Sequence, residues 1–403
     1  MILLTVFLLL LMSISFVMHK KVVNIPFLFF GVWLFILILY QLKLSYHQNS
    51  LSNVTLLYLS YIFSAFFIGY FYVFTFYLPK YKKYGVKKNT FENFKVVYSK
   101  KFVTFSFWII ITLLLMEGIY SGGFPLFWYL QGAPKNYFDF GIPTFHGILM
   151  SYILFYGTLL YVYIKKAQGY LTKKMKIYFF IIIFILLILI TRQNLVILFV
   201  QIAFAHHFMI KKINFVKLIP IGLIFIILFG VIGNFRTGLS EFVTISEFKN
   251  PNISPLLSGF YWVYMYFTMT VANLDNLFNM HFEYSYGLNM LQSFLPTVLL
   301  DAIYGDAYTT RFWLVHPNYT VSGYMASPYL DFGIIGVSIY SGIIGAIGCI
   351  IYHEYYFRKN FSNTFIYILF LQIIIMTFFT DYLLYLPVSF QIFWSITLLR
   401  SKR

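Results

Sequence analysis

The segment KKMKIYFFIIIFILLILITR, residues 173 to 192, decides the fold class. Lysines come first, about 15 uncharged and mostly apolar residues follow, and Arg192 closes the segment. At 1.5 Å per residue such a helix covers roughly 22 Å of a hydrocarbon layer that is about 30 Å thick. The segment therefore predicts a short transmembrane helix with lysines at one interface and Arg192 below the other.

The composition extends this prediction to the whole chain. With 61% hydrophobic residues, 10% charged residues and a mean hydropathy of +0.80 over 403 residues, there is too little polar surface for a soluble globule. The net charge of +17 is gathered in short loops, where it orients the chain and contacts anionic lipid heads rather than nucleic acid. The only cysteine, Cys349, excludes intrachain disulfides and multi-cysteine metal sites.

Apolar runs recur along the sequence at lengths that suit membrane spans. They predict an all-α polytopic membrane protein with about eleven transmembrane helices, ten to thirteen being compatible with the pattern, in a single integral membrane domain over residues 1–403. The runs lie at residues 2–18, 23–42, 54–78, 102–120, 145–164, 177–191, 194–210, 217–234, 334–353, 363–380 and 382–399.

The basic residues orient these spans. Loops rich in Lys and Arg face the cytoplasm, and we call the opposite side the outer side. The first run precedes His19-Lys20-Lys21 and lacks a cleavage site, so it predicts a retained span with the N-terminus outside and the C-terminus cytoplasmic. Two sizeable outer segments result: a first loop at 117–143 and a long extracytoplasmic loop at 235–333.

The long loop contains two further apolar stretches, at 260–274 and 288–300. If both crossed the membrane, residues 275–287 would face the cytoplasm without a single Lys or Arg, against the positive-inside pattern. Interfacial or re-entrant helices are therefore favoured over an extra pair of spans. The aromatic run at 260–267 suits an interface, where rings with polar tips prefer to lie.

Outer cations are the first candidate functional residues. All but six of the 29 Lys and Arg residues fall on the cytoplasmic side; the six are Lys43, Lys135, Arg192, Arg236, Lys249 and Arg311. An arginine below the interface, as predicted for Arg192, is a functional candidate, although it could instead snorkel outward. Together with Arg236 and Arg311 it suits a phosphate group, with Lys135 assisting; the alternative is ordinary loop arginines paired to nearby carboxylates.

Outer histidines are the candidates for a general base, because neutral imidazole accepts a proton near pH 7. His146 lies at the mouth of a span, and His316 is favoured slightly because its loop also holds Arg311. Each could equally be a structural, hydrogen-bonded histidine, in which case an outer carboxylate would be the base: Asp139, Asp306 or Asp331. The remaining histidines near inner span ends are expected at the interface: His19, His206, His207 and His353.

Other motifs indicate structure rather than chemistry. Asp139-Phe140-Gly141 and Asp331-Phe332-Gly333 occur without the other kinase motifs and predict turns that lead into spans. Glycines at 342, 345 and 348 predict close helix packing. The first outer loop, residues 43–53, holds no carboxylate, which argues against a metal ion held there; no metal site and no cofactor are expected.

The order of these elements resembles the bacterial oligosaccharide repeat-unit polymerases, the Wzy-type O-antigen and capsule polymerases. The resemblance covers roughly residues 100 to 350. Its matching elements are Gly122-Gly123-Phe124-Pro125-Leu126-Phe127, Phe140-Gly141-Ile142-Pro143, His146, Thr191-Arg192, Gly233-Asn234-Phe235-Arg236, Ala272-Asn273-Leu274-Asp275 and Tyr329-Leu330-Asp331-Phe332-Gly333.

The resemblance implies a metal-independent glycosyltransferase of the bacterial inner membrane that joins undecaprenyl-pyrophosphate-linked oligosaccharides on the outer face. Arg192, Arg236 and Arg311 would hold pyrophosphates, and His146 or His316 would lie near the acceptor hydroxyl. A chain-length regulator and a flippase are the protein partners that it suggests. Two alternatives stay open: a ligase that transfers finished O-antigen, and a flippase or transporter of lipid-linked oligosaccharides, which should show internal repeats and midplane charges.

Overall fold

The computed structural model describes residues 1–83, 100–133, 135, 137–166, 171–292, 294–295, 297–304, 311–358 and 360–399. In these ranges every named element is helical, and the only pairing of extended backbone is an isolated β-bridge between Ser45 and Phe248. The predicted all-α class is confirmed.

The helices of the first half coincide with the predicted runs, apart from a short helix in the predicted outer loop. They are α1 (Ile2–His19), α2 (Ile25–Gln41), α3 (Asn53–Lys83), α4 (Lys100–Ser121), α5 (Pro125–Leu130), α6 (Phe145–Lys166), α7 (Leu171–Ile188) and α8 (Arg192–Ala205). A 3-10 turn at Tyr137–Asp139 precedes α6, and a π-helical turn at His206–Ile210 extends α8.

The second half contains the remaining eight helices. They are α9 (Ile219–Thr237), α10 (Leu239–Ser246), α11 (Ser258–Asn279), α12 (Leu288–Leu291), α13 (Thr297–Tyr304), α14 (Ala326–Phe357), α15 (Phe361–Ile375) and α16 (Leu386–Leu399). Side-chain caps define two of the helix starts. The Asn24 side chain accepts a hydrogen bond from the amide of Phe27 at 2.9 Å, and Asn360 does the same for Asn363 at 2.7 Å, so each caps a helix.

Six helices among the described residues are long and apolar enough to cross a membrane, and a seventh is obtained if the bent pair α9 and α10 is one span. A multi-pass helical membrane protein is thereby confirmed in outline. The count of eleven remains a prediction, because α2, α15 and α16 have only 17, 15 and 14 residues. Each of the eleven predicted runs nevertheless contains a helix.

The packing of α3 against α14 depends on glycines, as the sequence predicts. A Cβ atom on Gly69 would overlap the carbonyl group of Gly342, and one on Gly345 would overlap the carbonyl oxygen of Phe66. The two backbones therefore touch directly, which only residues without a side chain allow. This contact fixes the middle of the bundle.

The long predicted loop is largely helical. Gly238, with φ +83°, ends α9, and α10 leaves at 97° to it. The stretch at 260–274 forms the 22-residue α11, so a helix is confirmed there. The stretch at 288–300 contains α12, with four residues, and the start of α13, with eight; neither helix could cross a bilayer, and the interfacial position favoured by the sequence stays a prediction.

Both ends of α11 touch the lysine-poor ends of other helices. Near its start, the Ser258 hydroxyl accepts a hydrogen bond at 2.7 Å from the side-chain amide of Asn234, in the last turn of α9. Near its end, Asp275 accepts one from the backbone of Ser52, directly before α3, at 3.0 Å. The opposite ends of α9 and α3 carry the lysines. These contacts are compatible with the interfacial position expected for α11, which stays a prediction.

Two of the inner histidines are buried within the protein. His19 and His353 have 8% and 0% exposure. His19 hydrogen-bonds the hydroxyl of Tyr70 at 2.9 Å, and the ring of His353 stacks on that of Phe74 at 5.8 Å. They belong to the packing between α1, α3 and α14, because aromatic neighbours surround them.

A pair of glycine substitutions tests the contact between α3 and α14. Gly69→Ala places a methyl group against backbone and should lower the melting temperature and the yield of folded protein. Gly222→Ala in α9 is the matched control: nothing lies within 4 Å of its Cβ position, and Ala is better than Gly in a helix by about 1 kcal/mol. Equal melting temperatures for both variants would contradict the direct backbone contact.

The position of α11 can be tested with introduced cysteines. The native Cys349 is fully buried and should not react with the reagent. Asn252→Cys and Asn279→Cys introduce thiols at exposed positions, one before α11 and one at its last residue, and both should react with a membrane-impermeant thiol reagent applied from outside. Lys174→Cys, in a predicted cytoplasmic loop, should not react. Reaction at position 252 with protection at 279 would mean that α11 crosses the membrane.

Candidate functional site

A buried carboxylate and a histidine meet at the outer ends of α4 and α6. Glu117 lies one turn before the end of α4, and its side chain has 0% exposure. Its Oε2 is 2.8 Å from Nδ1 of His146, which belongs to the first turn of α6 and keeps 27% side-chain exposure. A carboxylate inside an apolar helix is costly unless it is paired, and the imidazole supplies the partner.

The loop between these helices holds the imidazole in place. The hydroxyl of Ser121 accepts a hydrogen bond from the amide of Gly141 at 2.8 Å, which brings the loop back onto α4. Gly141 has φ +96°, and a Cβ there would lie 2.6 Å from the ring of His146. The ring of Phe140 meets His146 edge-on at 5.4 Å. Glycine at 141 thus lets the backbone pass directly against the ring.

The predicted assisting cation belongs to the same loop. Lys135 is exposed, its Nζ donates to the carbonyl oxygen of Ser121 at 2.9 Å, and it lies 5.2 Å from the ring centre of Trp128. Because Ser121 also holds Gly141, the loop brings Lys135 and His146 to one site. We call Glu117, Ser121, Lys135, Gly141 and His146 the loop site.

Arg192 occupies an aromatic cage rather than an open cavity. The first residue of α8, it is only 7% exposed, and its guanidinium carbon lies 4.7 Å from the ring centre of Phe229, 5.2 Å from Trp262 and 5.9 Å from Tyr266. Its Nη2 also donates to the Tyr266 hydroxyl at 3.5 Å, which is long for a hydrogen bond. Cation–π contacts with α9 and α11 therefore stabilise the charge.

Glycine also shapes this cage. A Cβ on Gly233 would lie 2.7 Å from the indole nitrogen of Trp262 and 2.9 Å from Nη1 of Arg192. The indole nitrogen donates to the side chain of Asn234 at 3.1 Å, and Trp262 stacks on Phe242 at 3.8 Å. Of the Gly233-Asn234 pair singled out in the sequence, Gly233 thus packs directly against Arg192, and Asn234 holds the indole of Trp262.

Neighbouring side chains join the cage to the loop site. Gln193, next to Arg192, donates to the hydroxyl of Tyr382 at 2.9 Å, in the connection between α15 and α16. That connection ends where α16 begins, and the Cβ position of Gly147 lies 3.2 Å from Leu386. On the other side, the ring of Tyr129 lies 6.3 Å from that of Phe235. These contacts link the segments that carry the two groups.

Of the other two predicted arginines, the structure describes the side chain of Arg311 alone. Arg236 lies in the last turn of α9, and its side chain falls outside the described part of the chain. Arg311 is exposed and donates to the carbonyl oxygen of Thr320 at 3.4 Å. Its loop packs on the second half of α11, where Asn276 donates to the carbonyl oxygen of Trp313 at 2.9 Å. Arg311 and Arg192 thus lie against different halves of α11.

His316 belongs to a second histidine group. Its ring centre is 5.7 Å from that of His47, whose Nδ1 lies 3.8 Å from Glu247. Burial, and after it the neighbouring His47, lower the pKa of His316, while Glu247 opposes the shift. The Nδ1 of His316 accepts a hydrogen bond from the backbone amide of Asn318 at 3.2 Å. The neutral imidazole of His316 therefore carries its proton on Nε2.

The candidate carboxylates have different surroundings. Asp331 is fully buried and accepts the amides of Asn289 and Met290 at 2.9 and 2.8 Å, so it caps α12. Two residues later Gly333, with φ +64°, bends α14, which confirms the predicted turn. Asp139 is exposed, and Asp306 lies outside the described residues. In the described chain no three His, Cys, Asp or Glu residues are arranged to hold a metal ion.

Glu117 was missed by the sequence reasoning. The rule that marks Arg192, an ionisable side chain within an apolar run, applies equally to Glu117 at the end of the run 102–120. Its partner His146 is 29 residues away, and nothing local in the sequence pairs them. No family model, curated protein or solved structure matches the chain.

Proposed function

We propose that this protein is a glycosyltransferase that polymerises polyprenyl-pyrophosphate-linked oligosaccharide repeat units on the outer side of a bacterial inner membrane. The observation that carries the proposal is the pairing of His146 with the buried carboxylate of Glu117, in a loop that also presents Lys135. This supplies a base and a cation at the outer ends of apolar helices, where a lipid-linked substrate would present its head group.

The proposed reaction forms one glycosidic bond. The hydroxyl oxygen of the acceptor sugar attacks the anomeric carbon of the donor, the bond from that carbon to the pyrophosphate oxygen breaks, and its electron pair leaves with the lipid pyrophosphate. The hydroxyl proton passes to a histidine. Because the pyrophosphate is already an activated leaving group, the protein has to position the two glycolipids and neutralise the departing charge.

His146 suits the role of base better than His316. A base needs an imidazole nitrogen that carries a lone pair and can reach the substrate. The Nδ1 of His316 already accepts the amide of Asn318. His146 contacts Glu117 through Nδ1, which leaves Nε2 for the acceptor hydroxyl. The slight preference for His316 from sequence is therefore replaced by a preference for His146.

Arg192 is proposed to neutralise the departing pyrophosphate. Its contact with the hydroxyl of Tyr266, at 3.5 Å, is weak enough to be exchanged for a shorter bond to a phosphate oxygen. The aromatic cage would keep the guanidinium charged and oriented while this happens. Lys135, exposed in the loop site, would contact the same group from the outer side. For Arg236 and Arg311, pyrophosphate binding rests on the family resemblance alone.

The placement of the histidine and the outer cations favours an enzyme over a transporter, whose charges are expected near the membrane midplane. A ligase would share the donor site and differ in its acceptor. A chain-length regulator and a flippase are the protein partners that a polymerase would need. These assignments rest on the resemblance described above.

Two alanine variants test the assignment of the base. The protein is purified into liposomes with the lipid-linked repeat unit, and polymer formation is measured per folded molecule. His146→Ala should lose about 10²- to 10⁴-fold in rate, the usual cost of removing a positioned base. The polymerisation rate of His316→Ala should stay within a few-fold of that of the unaltered protein, because the acceptor nitrogen of His316 is already hydrogen-bonded to the backbone amide of Asn318.

The opposite pattern, with loss only in His316→Ala, would contradict the assignment. Full activity in both variants would exclude both histidines and leave an outer carboxylate such as Asp139. No polymer from the unaltered protein, with transfer of the glycan to a different lipid acceptor, would indicate a ligase. No new glycosidic bond under any condition would exclude a glycosyltransferase.

Replacement of Arg192 by lysine tests the role of the guanidinium. Lysine keeps the charge but loses the planar fork that binds two phosphate oxygens, so the polymerisation rate should fall by about 10- to 100-fold. Arg358→Lys is the matched control: Arg358 is exposed and pairs with Glu354 at 3.3 Å near the inner side, and its replacement should leave the rate unchanged. A normal polymerisation rate in Arg192→Lys would mean that Arg192 does not bind the pyrophosphate and has a structural role only.

A further inference from the structure

We propose that Glu117 is the positioning residue of the reaction: it determines which ring nitrogen of His146 carries the proton and so makes Nε2 the base. The catalytic role of Glu117 rests on the proposed function. The tautomer of His146 can be measured without any glycan substrate.

The hydrogen-bonding capacities of the two side chains lead to this conclusion. An ionised carboxylate only accepts hydrogen bonds, so the Nδ1 of His146, at 2.8 Å from Oε2 of Glu117, must carry hydrogen. In the neutral imidazole the other nitrogen, Nε2, then holds the lone pair. Phe140 and Gly141 pack against the ring and limit its rotation, so this nitrogen keeps one direction.

The location of Glu117 argues against a role limited to holding the loop. Its other oxygen, Oε1, accepts a hydrogen bond from the backbone amide of Ile142, but this bond is weak because its length of 3.4 Å is close to the limit. A glutamine would serve that amide equally well and would avoid a buried charge within an apolar helix. An ionised carboxylate has the particular property that it can only accept from the imidazole. The buried charge is therefore explained by the state of His146.

The first measurement uses the unaltered protein. Histidine labelled with ¹⁵N is incorporated, the protein is placed in bilayers, and the signal of His146 among the eight histidines is identified from its absence in His146→Gln. At a pH where the ring is neutral, the ¹⁵N shifts should show hydrogen on Nδ1 and a bare Nε2. Hydrogen on Nε2 instead would overturn the proposal.

Two substitutions of Glu117 provide the second measurement. In Glu117→Gln the amide can donate to Nδ1, so the ¹⁵N shifts should reveal the other tautomer, and polymerisation should fall by about 10²- to 10⁴-fold. Glu117→Asp retains an acceptor-only group and should keep the Nδ1–H tautomer and more activity than the glutamine variant. Glu283→Gln, at an exposed outer carboxylate, is the matched control and should change neither quantity.

The outcomes separate this inference from the proposed function. A Glu117→Gln variant with unchanged ¹⁵N shifts and unchanged activity would overturn the positioning role. If Glu117→Gln changes the tautomer but the unaltered protein makes no glycosidic bond, Glu117 does control the proton position on His146 and the proposed glycosyltransferase function is contradicted. If Glu117→Gln fails to fold, the shifts of the unaltered protein and of Glu117→Asp decide the question.

Discussion

The hydrogen bond between Glu117 and His146 is the interaction on which the proposed chemistry depends. In a hydrocarbon environment an unpaired carboxylate costs several kcal/mol, so Glu117 can remain in α4 only if a partner reaches it. That partner comes from α6, and the loop between the two helices must fold back through Ser121 and Gly141 to bring it there. The pairing of Glu117 with His146 thus requires the return of the chain onto α4 that Ser121 and Gly141 provide.

The cage of Arg192 satisfies the same constraint in a different way. Rings from α9 and α11 surround the guanidinium, and Gly233 allows Trp262 to approach it. One ionisable group is stabilised by an imidazole and the other by aromatic faces, and both lie at the lysine-poor ends of their helices. The direct backbone contact between α3 and α14 involves neither of these groups.

Much of the fold could be predicted because hydrophobicity and charge act locally along the chain. Apolar runs gave the helices, and the glycines of α14 were assigned correctly to packing. The site could not be predicted as well, because it depends on contacts between distant segments. His316 was favoured for its neighbour Arg311 in sequence, whereas the fold places it beside His47. Glu117 and His146 are brought together only by the return of the loop, which no periodicity reveals.

The central claim, that the protein polymerises lipid-linked repeat units, is tested most directly by the surface glycan of a bacterial strain from which the gene has been deleted. The account predicts glycan chains that consist of a single repeat unit, because the units are still made, moved outward and attached but no longer joined. Full-length chains would contradict the account. A core that carries no repeat unit would contradict it too, and would indicate a ligase or a flippase instead.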